Sequence, residues 1–349
     1  EKSSTSPTSS RFDVDDHFGS PEHVRTEAEE INSKIIKSKT LLTVEAAKDD
    51  GNKGDRLVVD GYKWLTNLLA DSLPIQVERE VISIKDMRSS SSSSSLSLSE
   101  DKDSKNSREC EVVPSSSTAS STDYPILVTC KDGSKFCCKR VICTLPLEIL
   151  RETSFSPPLS KRKIEAMKRI STGAHNKIIL RFHHLKIFWP SDTPQLNCDD
   201  PRFQFLNLHC YGKAGIILVH VFPPYAFRYG DCSPNNSQVV KEVLMVLSGM
   251  FNMSLNSLRE RLLDYIVTRW DSDSYSRGSY SYLRPGGHMQ HLKDLQAPHR
   301  STTTTTAAGE NIIYFAGEAC TTVGFQCVHG AYISGEKAAC EVVQDLKKK

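Results

Sequence analysis

The chain has 349 residues, enough for one large or two ordinary domains, with 38% hydrophobic residues and a formal net charge of +2. That balance argues against direct nucleic-acid binding, which calls for a clustered basic face, and no apolar run approaches the roughly 20 residues that span a bilayer, so no membrane partner is expected. The eleven cysteines include no CxxC pair and several sit in apolar segments, which points to small buried hydrophobes in a reducing compartment rather than a disulfide or zinc framework.

Residues 1–55 are polar and rich in Ser, Lys, Asp and Glu, and read as a largely disordered or helical segment with one helix from Pro21 to Lys39. An ordered domain is expected over 56–341. It begins at Arg56 to Gly61, continues with a helix from Tyr62 to Ala70, and then a strand from Ile75 to Ile84 with Ile75, Val77 and Val81 on one face. Residues 88–123 open on a serine run and cannot bury enough surface to fold alone; they are expected to loop out as a disordered insertion. Tyr124 to Cys130 and Phe136 to Thr144 flank Lys131-Asp-Gly-Ser134, a hairpin signal, so the insertion interrupts a sheet.

Beyond Pro146 helices and strands mix. Lys161 to Arg169 reads as a helix, His175 to Phe182 and Ala214 to Phe222 as strands, and Ser237 to Phe251 and Ser257 to Leu263 as amphipathic helices, with Ser237 as N-cap. Thr302 to Thr306 marks a loop. An apolar strand from Ile312 to Ala316 then stops at Gly317, and a short loop leads into a helix of small residues. Residues 342–349 read as a basic tail. No internal repeat is present, no signal peptide is visible, and the chain opens on Glu1 rather than Met; an intracellular, soluble protein of cytoplasm or nucleus is expected.

The strand–Gly317–helix order sets backbone N–H groups and a positive helix end against whatever lies beyond the strand's carboxyl edge. Tyr314-Phe-Ala-Gly-Glu-Ala-Cys-Thr321 with Gln326-Cys-Val-His-Gly-Ala-Tyr-Ile-Ser-Gly335 closely resembles the C-terminal flavin-contact motif of the flavin-containing amine oxidases. That family includes polyamine oxidases, monoamine oxidases and lysine-specific histone demethylases. Three more stretches match it in the right order: Val141-Ile-Cys-Thr-Leu-Pro-Leu-Glu-Ile-Leu150 with Phe155-Ser-Pro-Pro-Leu-Ser160, Gly173-Ala-His-Asn-Lys-Ile-Ile-Leu-Arg-Phe182, and Thr268-Arg-Trp-Asp-Ser-Asp-Ser-Tyr-Ser-Arg-Gly-Ser-Tyr-Ser-Tyr282.

The resemblance implies an α/β and α+β architecture, the C-terminal part of an FAD-linked amine oxidase fold: a partial Rossmann-like FAD-binding domain and a mixed-sheet substrate domain. It implies FAD as cofactor, and as substrate a small-molecule amine such as a polyamine, or a methylated-lysine peptide. The amine would be oxidised to an imine, with O2 as second substrate and hydrogen peroxide as product. By resemblance Lys177 is the active-site lysine that holds a water at the flavin. A desolvated ammonium suits that task, because only a neutral amine is oxidised; read alone, Lys177 is an exposed strand lysine flanking Ile178 and Leu180. Tyr280 matches the aromatic residue that stands against the flavin and contacts the substrate amine, and Tyr282 lies beside it. Trp270 and Tyr275 match flavin neighbours. Val81, Thr144 and Pro146 match the adenine and pyrophosphate end, and Gly317, Glu318, Cys327 and Val328 the ribityl and pyrimidine side. Each of these also has a plain structural reading, as a turn glycine, a strand end or aromatic core filling. His329 falls in the family's VHGA pattern and reads as packing.

The sequence departs from the family in four places. Ser274 stands where many relatives carry proline, Cys327 where they often carry threonine, and Gly324 where they often carry an aromatic. No GxGxxG fingerprint occurs, so the resemblance is to the C-terminal portion of such oxidases. A catalytically inactive amine-oxidase-like binding module is the alternative.

Overall fold

Alternation of buried and more exposed side chains, with mostly apolar residues on the buried side, organises the central strands of the larger sheet. In the computed structural model, which describes residues 61–90, 124–229, 235–301 and 309–348, β7 (Asn176–Phe182) turns Asn176, Ile178, Leu180 and Phe182 inward and Lys177, Ile179 and Arg181 to the other face. The expected helix from Pro21 to Lys39, the segment at 56–60 and the loop at 302–306 lie outside the described residues, as does the serine-rich stretch from residue 91 onward.

The N-terminal unit starts with α1 (Lys63–Ala70), none of whose side chains is buried. A four-stranded sheet follows, in the order β3-β2-β1-β5: β1 (Val81–Asp86), β2 (Ile126–Cys130), β3 (Lys135–Cys138) and β5 (Ser154–Ser156). The expected strand from Ile75 is shorter than its sequence pattern suggests. Glu78 has φ +61°, which breaks the extended run, and Ile75 and Val77 remain exposed. The expected hairpin forms between β2 and β3 around Gly133 (φ +86°), but its second strand does not run through to Thr144. After Cys138 the chain leaves this sheet, and β4 (Val141–Cys143) joins a second one, where it pairs in parallel with β14 (Glu310–Phe315). The Arg140 side chain sits at this crossing and pairs with Glu310. β13 (His299–Ser301) completes that sheet in the order β13-β14-β4.

Helices α2 (Leu147–Glu152), α3 (Lys161–Arg169) and α6 (Met289–Gln296) cover these strands. Ser160 caps α3 by accepting from the Lys163 N–H. Their shared core is built from Ile84, Ile126, Leu147, Leu150, Met167, Ile170, Leu292, Leu295, Ile313 and Phe315.

The second unit is the five-stranded antiparallel sheet β11-β7-β10-β9-β8, with β8 (Gln195–Leu196), β9 (Gln204–Asn207), β10 (Ile216–Val221) and β11 (Leu262–Val267). One face packs against α4 (Asn236–Phe251) and α5 (Leu255–Arg261), burying Val239, Val240, Val243, Leu244 and Leu247 at helical spacing. The N-cap of α4 is Asn235, not Ser237: the Asn235 carboxamide accepts from the Gln238 N–H at 2.9 Å, and the Ser237 hydroxyl donates to it at 2.8 Å. α5 begins two residues earlier than its pattern suggests, because Ser254 caps it, and Leu262 already belongs to β11. A two-stranded ladder of β6 (Ile170–Thr172) and β12 (Ser281–Leu283) joins the units. α7 (Val328–Lys347) closes the chain and carries through most of the expected tail.

The architecture is the mixed α/β one expected. Among the described residues the cysteines are free, no His/Cys/Asp/Glu cluster is arranged to hold a metal, and no helix is long and apolar enough to cross a membrane.

Candidate active site

β4 and β14 run parallel with Phe315 opposite Cys143, and the Ala316 N–H donates to the Cys143 carbonyl at 3.1 Å. Both strands therefore deliver their carboxyl ends to one edge, where Thr144 and Gly317 leave the sheet side by side. Thr144 and Pro146 are exposed there, with Pro146 at the N-cap position of α2. Gly317 has φ +129°, and a Cβ built on it would meet nothing within 4 Å. The corner is open space bordered by backbone, the kind of place a flat ligand can approach closely.

The helix on the far side of this corner is pinned by a serine. The Ser334 hydroxyl accepts from the Gly317 N–H at 2.9 Å and lies 2.7 Å from the Ala331 carbonyl. Cys327 is the N-cap residue of α7, and Val328, its first helical residue, is half exposed. Helix geometry leaves the first N–H groups of α7 without intrahelical acceptors, so this end carries partial positive charge. The departure at Gly324 has a steric reason. It has φ +67°, and a Cβ there would lie 2.3 Å from the His329 ring, while a Cβ on Gly330 would lie 2.0 Å from the Gly324 carbonyl oxygen. His329 thus packs on the Gly324 turn, and Phe325 packs on the neighbouring core.

Glu318 does not project freely from this corner. Its two carboxylate oxygens accept from the backbone N–H of Ser281 at 3.2 Å and from the Ser281 hydroxyl at 2.7 Å. Gln326 donates to the Ser281 carbonyl at 2.7 Å. Ser281, fully buried, thereby ties the Tyr280–Tyr282 strand to both the Gly317 corner and the approach to α7. Glu318 thus holds Ser281, between Tyr280 and Tyr282, against the Gly317 corner.

A second junction holds Lys177. Its N–H donates to the Thr268 hydroxyl at 2.7 Å, and the Thr268 N–H returns a bond to the Lys177 carbonyl at 2.9 Å. Buried Asn176 accepts from the Trp270 N–H and donates to Asp271, both at 2.9 Å. The Trp270 carbonyl accepts from Gly278 at 2.7 Å, and Gly173 and Tyr280 are bridged by a Gly173 N–H bond at 2.9 Å. Lys177 and the 268–282 segment therefore form one assembly. The Lys177 side chain is half buried, and that burial pulls its ammonium below the usual lysine value.

Trp270, Tyr280 and Tyr282 are each about 40% exposed, at 41%, 40% and 41%, an unusual density of open aromatic surface. Tyr275 is 67% exposed on the turn beyond them. That turn forms without the family's proline because the Asp273 carboxylate accepts from the N–H groups of Tyr275 and Ser276, both at 2.9 Å. Val81 stands apart: it heads β1 in the other sheet, opposite Cys130, and joins this network through no hydrogen bond.

The structure thus brings together Lys177, Trp270, Tyr280, Tyr282, Gly317, Glu318, Cys327 and Val328, with Thr144 and Pro146 on the same sheet edge. Residues that sequence reasoning passed over do the joining: Ser281, Gln326, Asn176, Thr268 and Ser334. Asn176 lies within the lysine motif, but its bonds to Trp270 and Asp271 reach partners about ninety residues away, which no local pattern signals.

The family model described as flavin containing amine oxidoreductase matches residues 14–343, starting well upstream of residue 56. The peroxisomal N(1)-acetyl-spermine/spermidine oxidase of Homo sapiens is 31% identical over 238 residues, which are 62% of this chain and 45% of that protein. Lysine-specific histone demethylase 1 homolog 3 of Oryza sativa subsp. indica is 29% identical over 210 residues, 58% of this chain and 24% of that protein. Protein FLOWERING LOCUS D of Arabidopsis thaliana is 28% identical over 215 residues, 59% of this chain and 26% of that protein. A solved putrescine oxidase variant superposes with a TM-score of 0.50 at 19% identity, covering 63% of this chain and 46% of that one, a likeness of fold. The chain spans less than half the length of these relatives.

Proposed function

Because the chain belongs to the flavin containing amine oxidoreductases, we propose that it provides the substrate-facing part and one wall of the cofactor site of an FAD-dependent amine oxidase. The reaction would convert a polyamine or an N-methylated lysine to an imine while O2 becomes hydrogen peroxide. The observation that carries this reading is the joining of the Lys177 strand, the Tyr280–Tyr282 strand and the Gly317 corner through Asn176, Ser281 and Glu318.

The residues fit the cofactor. Gly317 borders open space, the α7 N-terminus favours an anionic edge, and exposed Trp270, Tyr280 and Tyr282 offer flat apolar surface. Gly317, Cys327, Val328, Thr144, Pro146 and Trp270 would hold it. Bound there, FAD would supply the two-electron acceptor for amine oxidation and pass the electrons to O2. Tyr280 and Tyr282 supply a slot tolerant of an alkylammonium face-on. Lys177, desolvated and fixed by Thr268, orients a water and handles protons beside the amine. The named relatives cover both substrate classes, one named for acetylated polyamines and one for histone lysine.

The test is anaerobic reduction of the flavin-loaded protein by spermine, N1-acetylspermine and a dimethyl-lysine peptide. Lys177→Met should retain flavin and slow its reduction by about a hundredfold or more; unchanged reduction rejects the lysine assignment. A second reading, a binding module without its own flavin, draws support from the openness of the aromatic wall. It prevails if no flavin absorbance survives desalting.

A further inference from the structure

Two imidazoles outside every site motif role stand beside Lys177. β7 and β10 pair antiparallel with Lys177 directly opposite His220, so both side chains leave the same face of the sheet. His175, two residues before Lys177, reaches across to it: His175 Nε2 and His220 Nδ1 are 2.9 Å apart. The His175 ring also stacks on Phe222 at 4.3 Å and meets Tyr280 edge-on at 6.1 Å. Neither imidazole has another hydrogen-bond partner among the described residues.

Two neutral imidazoles in contact share one N–H, so of their two outer nitrogens one is a donor and the other an acceptor. A proton arriving at the acceptor end drives the shared proton across and releases another from the far end. The tautomers swap, and the pair never holds two positive charges.

We propose that the His175–His220 pair is a proton relay serving the amine slot, carrying toward solvent the proton that an alkylammonium substrate must release beside Lys177 before oxidation. The proposal rests on the reading of Lys177 given above. One N–H bond breaks at the substrate ammonium and one forms on the outer nitrogen facing the slot. The shared proton then crosses the 2.9 Å contact, and the outer N–H of the second ring breaks to water. No electrons change hands. The titratable and charged groups around the pair are few. Lys177 faces it from β7 and Tyr280 from the segment before β12. Arg181 and Asp264 lie farther along the same face and pair with each other at 3.7 Å. Asp271 is engaged by Asn176 on the opposite face, and Arg269 by Asn236 at 2.9 Å; β9 contributes uncharged Gln204 opposite His220. In support, burial, with the nearby Lys177 and His220, pulls His175 down to about 4, and burial with Lys177 lowers His220, so both rings are neutral near pH 7.

The test has two readouts. In the full chain with 15N-labelled histidine, both rings should be neutral at pH 7 with complementary tautomers. His175→Gln should shift the titration of His220, and Lys177→Met should raise the titration of both rings. Independent titrations near the ordinary value of about 6.5 overturn the relay. In flavin-loaded protein, His175→Gln and His220→Gln should leave the flavin spectrum intact. They should slow amine-driven reduction by roughly tenfold or more at acidic pH and converge on the parent rate at alkaline pH, where the amine arrives neutral. Equal slowing at every pH marks a packing role and overturns the relay. Unimpaired reduction by Lys177→Met would instead remove the reading of the lysine, while the coupling between the rings would still be measured.

Discussion

Lys163 shows how much one residue can decide. It is 2% exposed, yet its ammonium is well satisfied: Nζ donates to the carbonyls of Asp294 at 3.1 Å, Leu295 at 2.5 Å and Ala297 at 2.6 Å, and sits 3.9 Å from the Phe315 ring centre. Those carbonyls close the negative end of α6, so the lysine acts as a C-cap delivered from α3. It also abuts the strand that ends at Gly317. Burial nevertheless pulls the ammonium down to about 8 and pushes the neighbouring Cys320 thiol up to about 12. The sign of the pH effect follows from proton counting. Below pH 8 folded and unfolded chains both hold the proton and the lysine gives no slope. Between about 8 and about 10.5 the folded chain has released it and the unfolded chain has not, so stability rises with pH in that window. Lys163→Met fills similar volume but leaves the carbonyls unpartnered, at a cost of about 1–3 kcal/mol near pH 7. Urea unfolding at pH 7 and pH 9.5 checks both parts: the gap between parent and variant should widen at the higher pH, and a constant gap would show that the ammonium is not desolvated.

At the scale of elements, the start of α7 depends on two glycines facing each other. A Cβ on Gly330 would lie 2.0 Å from the Gly324 carbonyl oxygen, and both neighbours are backbone that cannot step aside. Gly330→Ala must therefore push α7 off the 324 turn, at about 1–3 kcal/mol by the usual cost of overpacking, and loosen the Ser334–Gly317 bond one turn along. Gly335→Ala, in the same helix with nothing within 4 Å of its Cβ, is the matched control and should be neutral or stabilising by up to about 1 kcal/mol. Urea midpoints of the two variants decide the point; equal midpoints would mean the junction is not tight. Elements of this kind were legible in the sequence to different degrees. The α3 helix is written in local spacing and a serine cap. The departure of β4 from its hairpin is not, because its partner β14 lies about 170 residues away and pairing at that range leaves no local mark. The same limit applies to the site. Lys177, Trp270, Tyr280 and Gly317 stand in motifs that resemblance can find. The bonds that assemble them join residues 37 and 94 positions apart, and the imidazole pair spans 45.

For the whole molecule, the decisive feature is that the site straddles two cores. Ile178 and Ala174, flanking Lys177, belong to the core under the five-stranded sheet, whereas Phe315, Ala319 and Cys320, flanking Gly317, belong to the other. The β6–β12 ladder, the Ser281 bonds and the Gly173–Tyr280 bond run between them at this point. A ligand that touches both the Gly317 corner and the aromatic wall stabilises both units at once, by RT ln(1 + [L]/Kd), which is about 2.7 kcal/mol at a hundredfold excess over Kd. With about 2–4 °C per kcal/mol for a domain of this size, saturating FAD should raise the melting temperature by about 5–10 °C. The shift should grow with the logarithm of FAD concentration, and the two units should melt as one. Riboflavin, which lacks the pyrophosphate and adenosine, should give a smaller shift, because on the proposed reading those groups lie at the Thr144–Pro146 edge. Thermal melts followed by intrinsic fluorescence, where Trp270 lies on the wall, measure all three. A melting temperature insensitive to FAD across the micromolar to millimolar range would remove the flavin reading for this chain and leave the binding-module reading in its place.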